Sequence, residues 1–191
     1  MEPCGFNRRD MLKTGLALAA GGLVAGIASP AKAARMVLPG MGSYAITFTN
    51  AHTGEGFSGV YRVGNRYLPE AFEKINYVLR DFRVGEVFPI DPRALDIVYL
   101  VHQKTGVNKP LEILSGYRSP KTNSMLRRAT SISGVAVNSL HLTGQAIDFR
   151  MPEYSTRRLR NIAASLNAGG VGFYPRSNFV HVDTGSVRHW G

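Results

Sequence analysis

Ser139-Leu140-His141-Leu142-Thr143-Gly144-Gln145-Ala146-Ile147-Asp148, answered downstream by Phe179-Val180-His181-Val182-Asp183, supplies two imidazoles and a carboxylate beside short strand-like segments. Side chains two apart in a strand share a face, so His181 and Asp183 project together while Val180 and Val182 pack behind them. Gly144 lets the chain turn, so the gap between His141 and Asp148 can return the carboxylate to the imidazole. Three N/O donors with a fourth position left to water suit a catalytic zinc site better than a closed structural one. An H-x6-D pattern alone has many accidental matches, and the later H-x-D strand makes the pair more specific.

Working outward, Val171 to Tyr174 and Phe179 to Asp183 read as two strands joined by a turn at Pro175-Arg176-Ser177-Asn178. Gln145 to Arg150 and Leu111 to Ser115 are further strands. Ser155 to Leu166 is a helix burying Leu159, Ile162 and Leu166. Pro120 to Arg128 is a short helix, followed by a Ser/Gly-rich loop over 129–138. Asp91-Pro92 is an N-cap with proline at the first helical position, opening a helix that Gly106 ends. His102 lies on the apolar stripe of that helix and is a packing residue. Leu68 to Phe82 reads as another helix from the spacing of Leu68, Phe72, Ile75 and Leu79. Tyr44, Ile46 and Phe48 alternate in a strand that pairs with Phe57 to Arg62 as an N-terminal hairpin, with His52 in its turn. The expected architecture is α+β: one small domain, with an antiparallel sheet carrying the zinc site and helices packed on it.

The other end of the chain indicates a compartment. Arg8 and Arg9 precede an apolar stretch from Gly15 to Ala28, and Pro30-Ala31-Lys32-Ala33 follows with small residues spaced for signal peptidase. Residues 1–33 resemble a twin-arginine export signal, which implies the twin-arginine machinery as a partner and the periplasm as destination. The alternative, an uncleaved membrane anchor, fits poorly: the stretch is about 14 residues and Gly-rich, against the ~20 needed to span a bilayer. Cleavage after Ala33 leaves residues 34–191, enough for one domain with a real core. Cys4, the only cysteine, falls within the signal, which excludes a disulfide framework or a thiolate metal site in the remainder. The formal charge of +10 falls to about +8 without the signal, a field that attracts anionic polymers. An exported protein rarely meets nucleic acid, so carboxylate-bearing cell-wall peptides fit the compartment better.

From Leu114 to Gly191 the chain resembles the zinc murein peptidases of the D-Ala-D-Ala carboxypeptidase/endopeptidase superfamily, and within it the murein endopeptidase K-like branch. The residues that carry this are Ser115-Gly116-Tyr117-Arg118-Ser119-Pro120-Lys121-Thr122-Asn123, then Ser139-x-His141-x-x-Gly144-x-Ala146-x-Asp148-Phe149. Gly170-Val171-Gly172-Phe173-Tyr174-Pro175, Phe179-Val180-His181-Val182-Asp183-Thr184-Gly185 and Arg188-x-Trp190 continue it. Tyr67-Leu68-Pro69-Glu70 and Ile90-Asp91-Pro92-Arg93 extend the resemblance over nearly the whole exported part.

The resemblance implies that His141, Asp148 and His181 bind Zn2+ and that Arg118 polarises the substrate carbonyl. It implies hydrolysis of peptidoglycan stem-peptide cross-links, including those joining two diaminopimelate residues. Many superfamily members carry a Glu three residues, or a His two residues, before the last ligand as general base. Here those positions hold Asn178 and Phe179, neither of which takes a proton at neutral pH. Asp183 is the first substitute and His189 the second, provided the tail folds back. Asp183 has an equal alternative role, accepting a ring N–H to fix the His181 tautomer. Trp190 closes the core or serves as a substrate platform. Two other functions use the same residues: a carboxypeptidase trimming terminal D-amino acids, and a non-catalytic zinc-stabilised wall-binding module.

Overall fold

The computed structural model describes residues 38, 40–129 and 135–191, so residues 1–33, where the sequence resembles an export signal, and part of the 129–138 loop lie outside the described residues. Alternation of buried Tyr44, Ile46 and Phe48 builds β1 (Ser43–Asn50), which pairs antiparallel with β2 (Gly56–Val63) as the expected hairpin. Asn50 caps the turn by accepting the His52 and Thr53 N–H groups. The short β3 (Arg66–Tyr67) extends the hairpin.

Helix α1 (Pro69–Val78) starts with proline at its first turn and ends before the expected Phe82. Leu79 is fully buried, as its place on the stripe demands, but the chain leaves the helix there, and the Leu79 carbonyl accepts the Tyr117 N–H at 2.8 Å. A tertiary hydrogen bond therefore takes a carbonyl that a longer helix would have used. Helix α2 (Pro92–Thr105) is capped as read: Asp91 accepts the Arg93 N–H at 3.0 Å, and Gly106 ends it at φ 68°. His102 is buried on α2, with Nε2 2.8 Å from the Lys109 carbonyl.

The remaining elements are β4 (Leu111–Ser115), α3 (Pro120–Ala129), a 3-10 turn (Leu140–Thr143), β5 (Ala146–Arg150), α4 (Thr156–Ser165), β6 (Gly170–Tyr174), β7 (Phe179–Asp183) and β8 (Arg188–Trp190). Among the described residues, the eight strands form one sheet in the order β3-β2-β1-β4-β5-β7-β6-β8. The class is α+β as expected, but the pairing is mixed, because β1 lies parallel to β4 and β6 parallel to β8. Neither β3 nor β8 is long enough to show an alternation in sequence.

Two further features matter for the site. Leu95 and Val98 of α2, Leu159 and Ala163 of α4, and Ile147, Phe149, Val180 and Val182 of the central strands share one core. Between the hairpin and α2 lies a buried ion pair, Arg62 with Asp96 at 2.7 Å, to which the Tyr61 and Tyr67 hydroxyls donate at 2.9 and 2.6 Å.

Candidate active site

The register of β5 on β7 creates the site. Asp148 sits opposite His181, while Ile147 opposes Val182 and Phe149 opposes Val180. The apolar pairs belong to the core, so pleating turns Asp148 and His181 to the other face. A one-residue slip of β7 would exchange the two sets and put an imidazole in the core, so burial of the valines fixes the face on which Asp148 and His181 meet.

His141 arrives from the 3-10 turn. That turn ends at Gly144 with φ 66°, where a Cβ would stand 2.1 Å from the Pro89 carbonyl oxygen. Only glycine fits both constraints. His141, Asp148 and His181 are all buried, and one donor atom from each lies within 4.8 Å of the others.

Hydrogen bonds assign the ring nitrogens. His141 Nδ1 is 2.7 Å from the Gly116 carbonyl and therefore carries hydrogen, which leaves the Nε2 lone pair facing inward. His181 Nε2 is 3.0 Å from Asp183 Oδ2, so it donates there and directs Nδ1 inward. The inward nitrogens are 3.2 Å apart, with Asp148 oxygens 3.1 Å from His141 Nε2 and 2.7 Å from His181 Nδ1. Two lone pairs and a carboxylate converging at this distance need a cation or a proton between them. The donor set fits zinc in a site with an open fourth position.

Electrostatics match this crowding. Burial lowers the pKa of His141 despite the nearby Asp148. Burial works to lower His181 too, but its hydrogen bonds to Asp148 and Asp183 raise it to about 9. Burial would raise Asp148, yet His141 and His181 outweigh it and hold the carboxyl far below its usual range.

Arg118 stands beside the triad on a turn whose backbone is tied down at three successive residues. Tyr117 N–H donates to Leu79, Arg118 N–H to the His141 carbonyl at 3.1 Å, and Ser119 N–H to Asp81 Oδ2 at 2.9 Å. Its guanidinium, by contrast, is held loosely. Asn123 Oδ1, Ser115 Oγ and Asp148 Oδ2 accept at 3.4, 3.3 and 3.5 Å, and the buried Nε has no partner among the described residues. Burial lowers the Arg118 pKa against the attraction of Asp148.

These residues line a cleft of about 300 Å³. One wall is aromatic: Tyr174 stacks on Phe179 with centroids 4.5 Å apart, and the Trp190 indole N–H donates to the Tyr174 hydroxyl at 2.9 Å. The Trp190 ring lies 5.2 Å from that of His181. The two residues weighed as proton acceptors sit elsewhere. His189 is exposed, and the alternation of β8 sends Arg188 and Trp190, not His189, to the cleft. Asp183 is fully buried and accepts from His181, from the Gly170 and Gly185 N–H groups, and twice from Arg188. Asn178, three residues before His181, takes φ 53° in the β6–β7 turn and accepts a hydrogen bond from the Thr156 hydroxyl.

Arg188 and Tyr174 also line the cleft, a placement that their sequence motifs alone do not give. The available signal was Gly170-x-Gly172, two strand positions without side chains opposite β8.

Comparison with known proteins agrees with this geometry. The family model Peptidase_M15_2, described as peptidoglycan L,D-endopeptidase MepK, matches residues 40–190. The peptidoglycan L,D-endopeptidase MepK of Escherichia coli (strain K12) is 40% identical over 190 residues, covering 100% of both chains. A Haemophilus influenzae protein, named as a probable peptidoglycan L,D-endopeptidase MepK, is 42% identical over 146 residues, 76% of this chain and 77% of that one. With a full-length match and the His/Asp/His cluster inside it, the chain belongs to the MepK family of M15 peptidases.

Proposed function

We propose that this protein is a zinc-dependent endopeptidase that hydrolyses L,D-configured peptide cross-links of peptidoglycan. The observation that carries the reading is the convergence of His141 Nε2, His181 Nδ1 and Asp148 on one point at the floor of a cleft, with the underpaired Arg118 guanidinium beside it. The printed function of the relatives supplies the substrate class.

In this reading His141, Asp148 and His181 hold the ion. Zinc held by these residues would supply a Lewis acid and a water whose pKa is brought down to about 7. Arg118 stabilises the negative charge that develops on the carbonyl oxygen, and its loose hydrogen bonds leave donor capacity for that oxygen. Asp183 holds the His181 tautomer: five donors occupy its oxygens, so it orients the imidazole and does not shuttle the proton. The aromatic wall of Tyr174, Phe179 and Trp190 borders the path of the stem peptide. Export through the twin-arginine machinery, directed by residues 1–33 and followed by cleavage, would deliver the enzyme to the periplasm, where its substrate lies.

The test is digestion of intact peptidoglycan by purified zinc-loaded protein, with a chelated control and mass spectrometry of the released muropeptides. Loss of cross-linked dimers with gain of monomers, only in the metal-loaded sample, is expected. Release of single D-amino acids would assign a carboxypeptidase, and wall binding without product would assign a binding module.

A further inference from the structure

The polar chain that starts at the triad does not stop at Asp183. Arg188 Nη2 donates to Asp183 Oδ2 at 2.6 Å and Nη1 to Oδ1 at 3.1 Å, a two-pronged grip on one carboxylate. Nη1 also donates to the Ser186 carbonyl at 3.0 Å. The oxygen gripped by Nη2 is the one that faces His181 Nε2. Asp183 has no exposure.

The sheet makes room for this grip. Gly170 pairs with Arg188 and Gly172 with Trp190. A Cβ at position 170 would lie 2.5 Å from Asp183 Oδ2 and 2.6 Å from Arg188 Nη1, and one at 172 would lie 2.6 Å from the Trp190 ring. Two glycines of β6 thus leave bare backbone against which the guanidinium and indole of β8 rest. The guanidinium carbon is 5.0 Å from the Trp190 ring centroid, a cation–π contact that adds to the fit.

We infer that Arg188 is a positioning residue of the metal centre: through its grip on Asp183 it fixes the orientation in which His181 presents Nδ1 to the ion. Strand β8 is then part of the site and not only an edge of the sheet. The inference rests on reading the triad as a metal site. Asp183 can hold His181 in one orientation only if its own torsion is fixed, and a planar fork on both oxygens fixes it better than a point charge does. Loss of such an outer partner costs about 10–100-fold in metal affinity.

The experiment is a double-mutant cycle on zinc affinity, read by competition with a chromophoric chelator. The chain's only tryptophan, Trp190, gives a local fluorescence signal beside His181. Arg188→Met is expected to weaken zinc binding about 10-fold, with Arg188→Lys between it and the wild type. In an Asp183→Asn background Arg188→Met should weaken binding no further, because its effect passes through Asp183. Unchanged zinc affinity in Arg188→Met, or losses that multiply in the double variant, would overturn the inference. So would a rise in KM at unchanged zinc affinity, the mark of direct substrate contact. If Arg188→Met does not fold, Arg188→Lys carries the same cycle with the same criteria. A wild-type protein that takes up no zinc would instead overturn the underlying site reading.

Discussion

Two buried clusters of charge occupy this sheet, and they differ in how completely each arginine is satisfied. At the hairpin end, Arg62 donates to Asp96 at 2.7 Å and to the Gly64 carbonyl at 2.8 Å, with Leu38, Asn65 and Tyr67 at 3.4 Å. The Tyr44 and Tyr67 rings lie 5.3 and 5.1 Å from its guanidinium carbon. At the cleft end, among the described residues, Arg118 has no partner closer than 3.3 Å and a buried Nε with none. Both arginines are similarly buried. A buried charge whose donors are all used holds structure together, whereas one left underpaired beside the converging His141, Asp148 and His181 has, in the proposed reading, capacity reserved for a ligand.

The largest effect that can break this comparison is metal removal. Chelation is expected to abolish peptidoglycan hydrolysis, and added zinc to restore it, with the far-ultraviolet circular dichroism little changed. Activity that persists in chelator would remove the distinction between the clusters.

Next comes stability at the hairpin end. Arg62→Met strands Asp96 in the core and is expected to cost about 3–5 kcal/mol in denaturant unfolding. Turnover per folded molecule should stay the same, and a small cost would show that the pair is not what holds the hairpin to α2.

Arg118→Ala should give the opposite profile. Turnover is expected to fall by about a hundred- to a thousandfold, the scale for losing an oxyanion donor. Zinc content and unfolding midpoint should remain close to wild type, because only contacts of 3.3–3.5 Å are lost. A large loss of stability with intact turnover would make Arg118 another Arg62.

The smallest effect sharpens the contrast. Tyr67→Phe removes one of the hydroxyls donating to Asp96 and should cost about 1 kcal/mol, measured by denaturant midpoint, without altering hydrolysis.

The meeting of His141, Asp148 and His181 was legible in the sequence because it depends on local rules. The Val180/Val182 alternation turns His181 and Asp183 to one face, and Gly144 marks the turn that returns Asp148 to His141. The α2 cap at Asp91-Pro92 and its end at Gly106 were legible for the same reason. What depends on distant pairing was not. The end of α1 is set by Tyr117 taking the Leu79 carbonyl, and the parallel pairing of β8 with β6 depends on space left by Gly170 and Gly172. Asp183 illustrates the limit: the alternation gives its face, but its partners include Gly170 of β6 beside the nearby His181, Gly185 and Arg188, and that β6 contact depends on the sheet pairing. His189 was weighed as a proton acceptor on the chance that the tail folds back. The tail does fold back, but the alternation of β8 brings its neighbours to the cleft instead.

The central claim is that His141, Asp148 and His181 together hold one zinc ion. Its most direct test is the zinc stoichiometry and affinity of the wild-type protein beside those of His141→Ala, by calorimetric titration of metal-free samples confirmed as folded. One ion per wild-type chain and none in the variant is the predicted result. Wild-type protein that binds no zinc, or a His141→Ala variant that binds it equally tightly, would contradict the account.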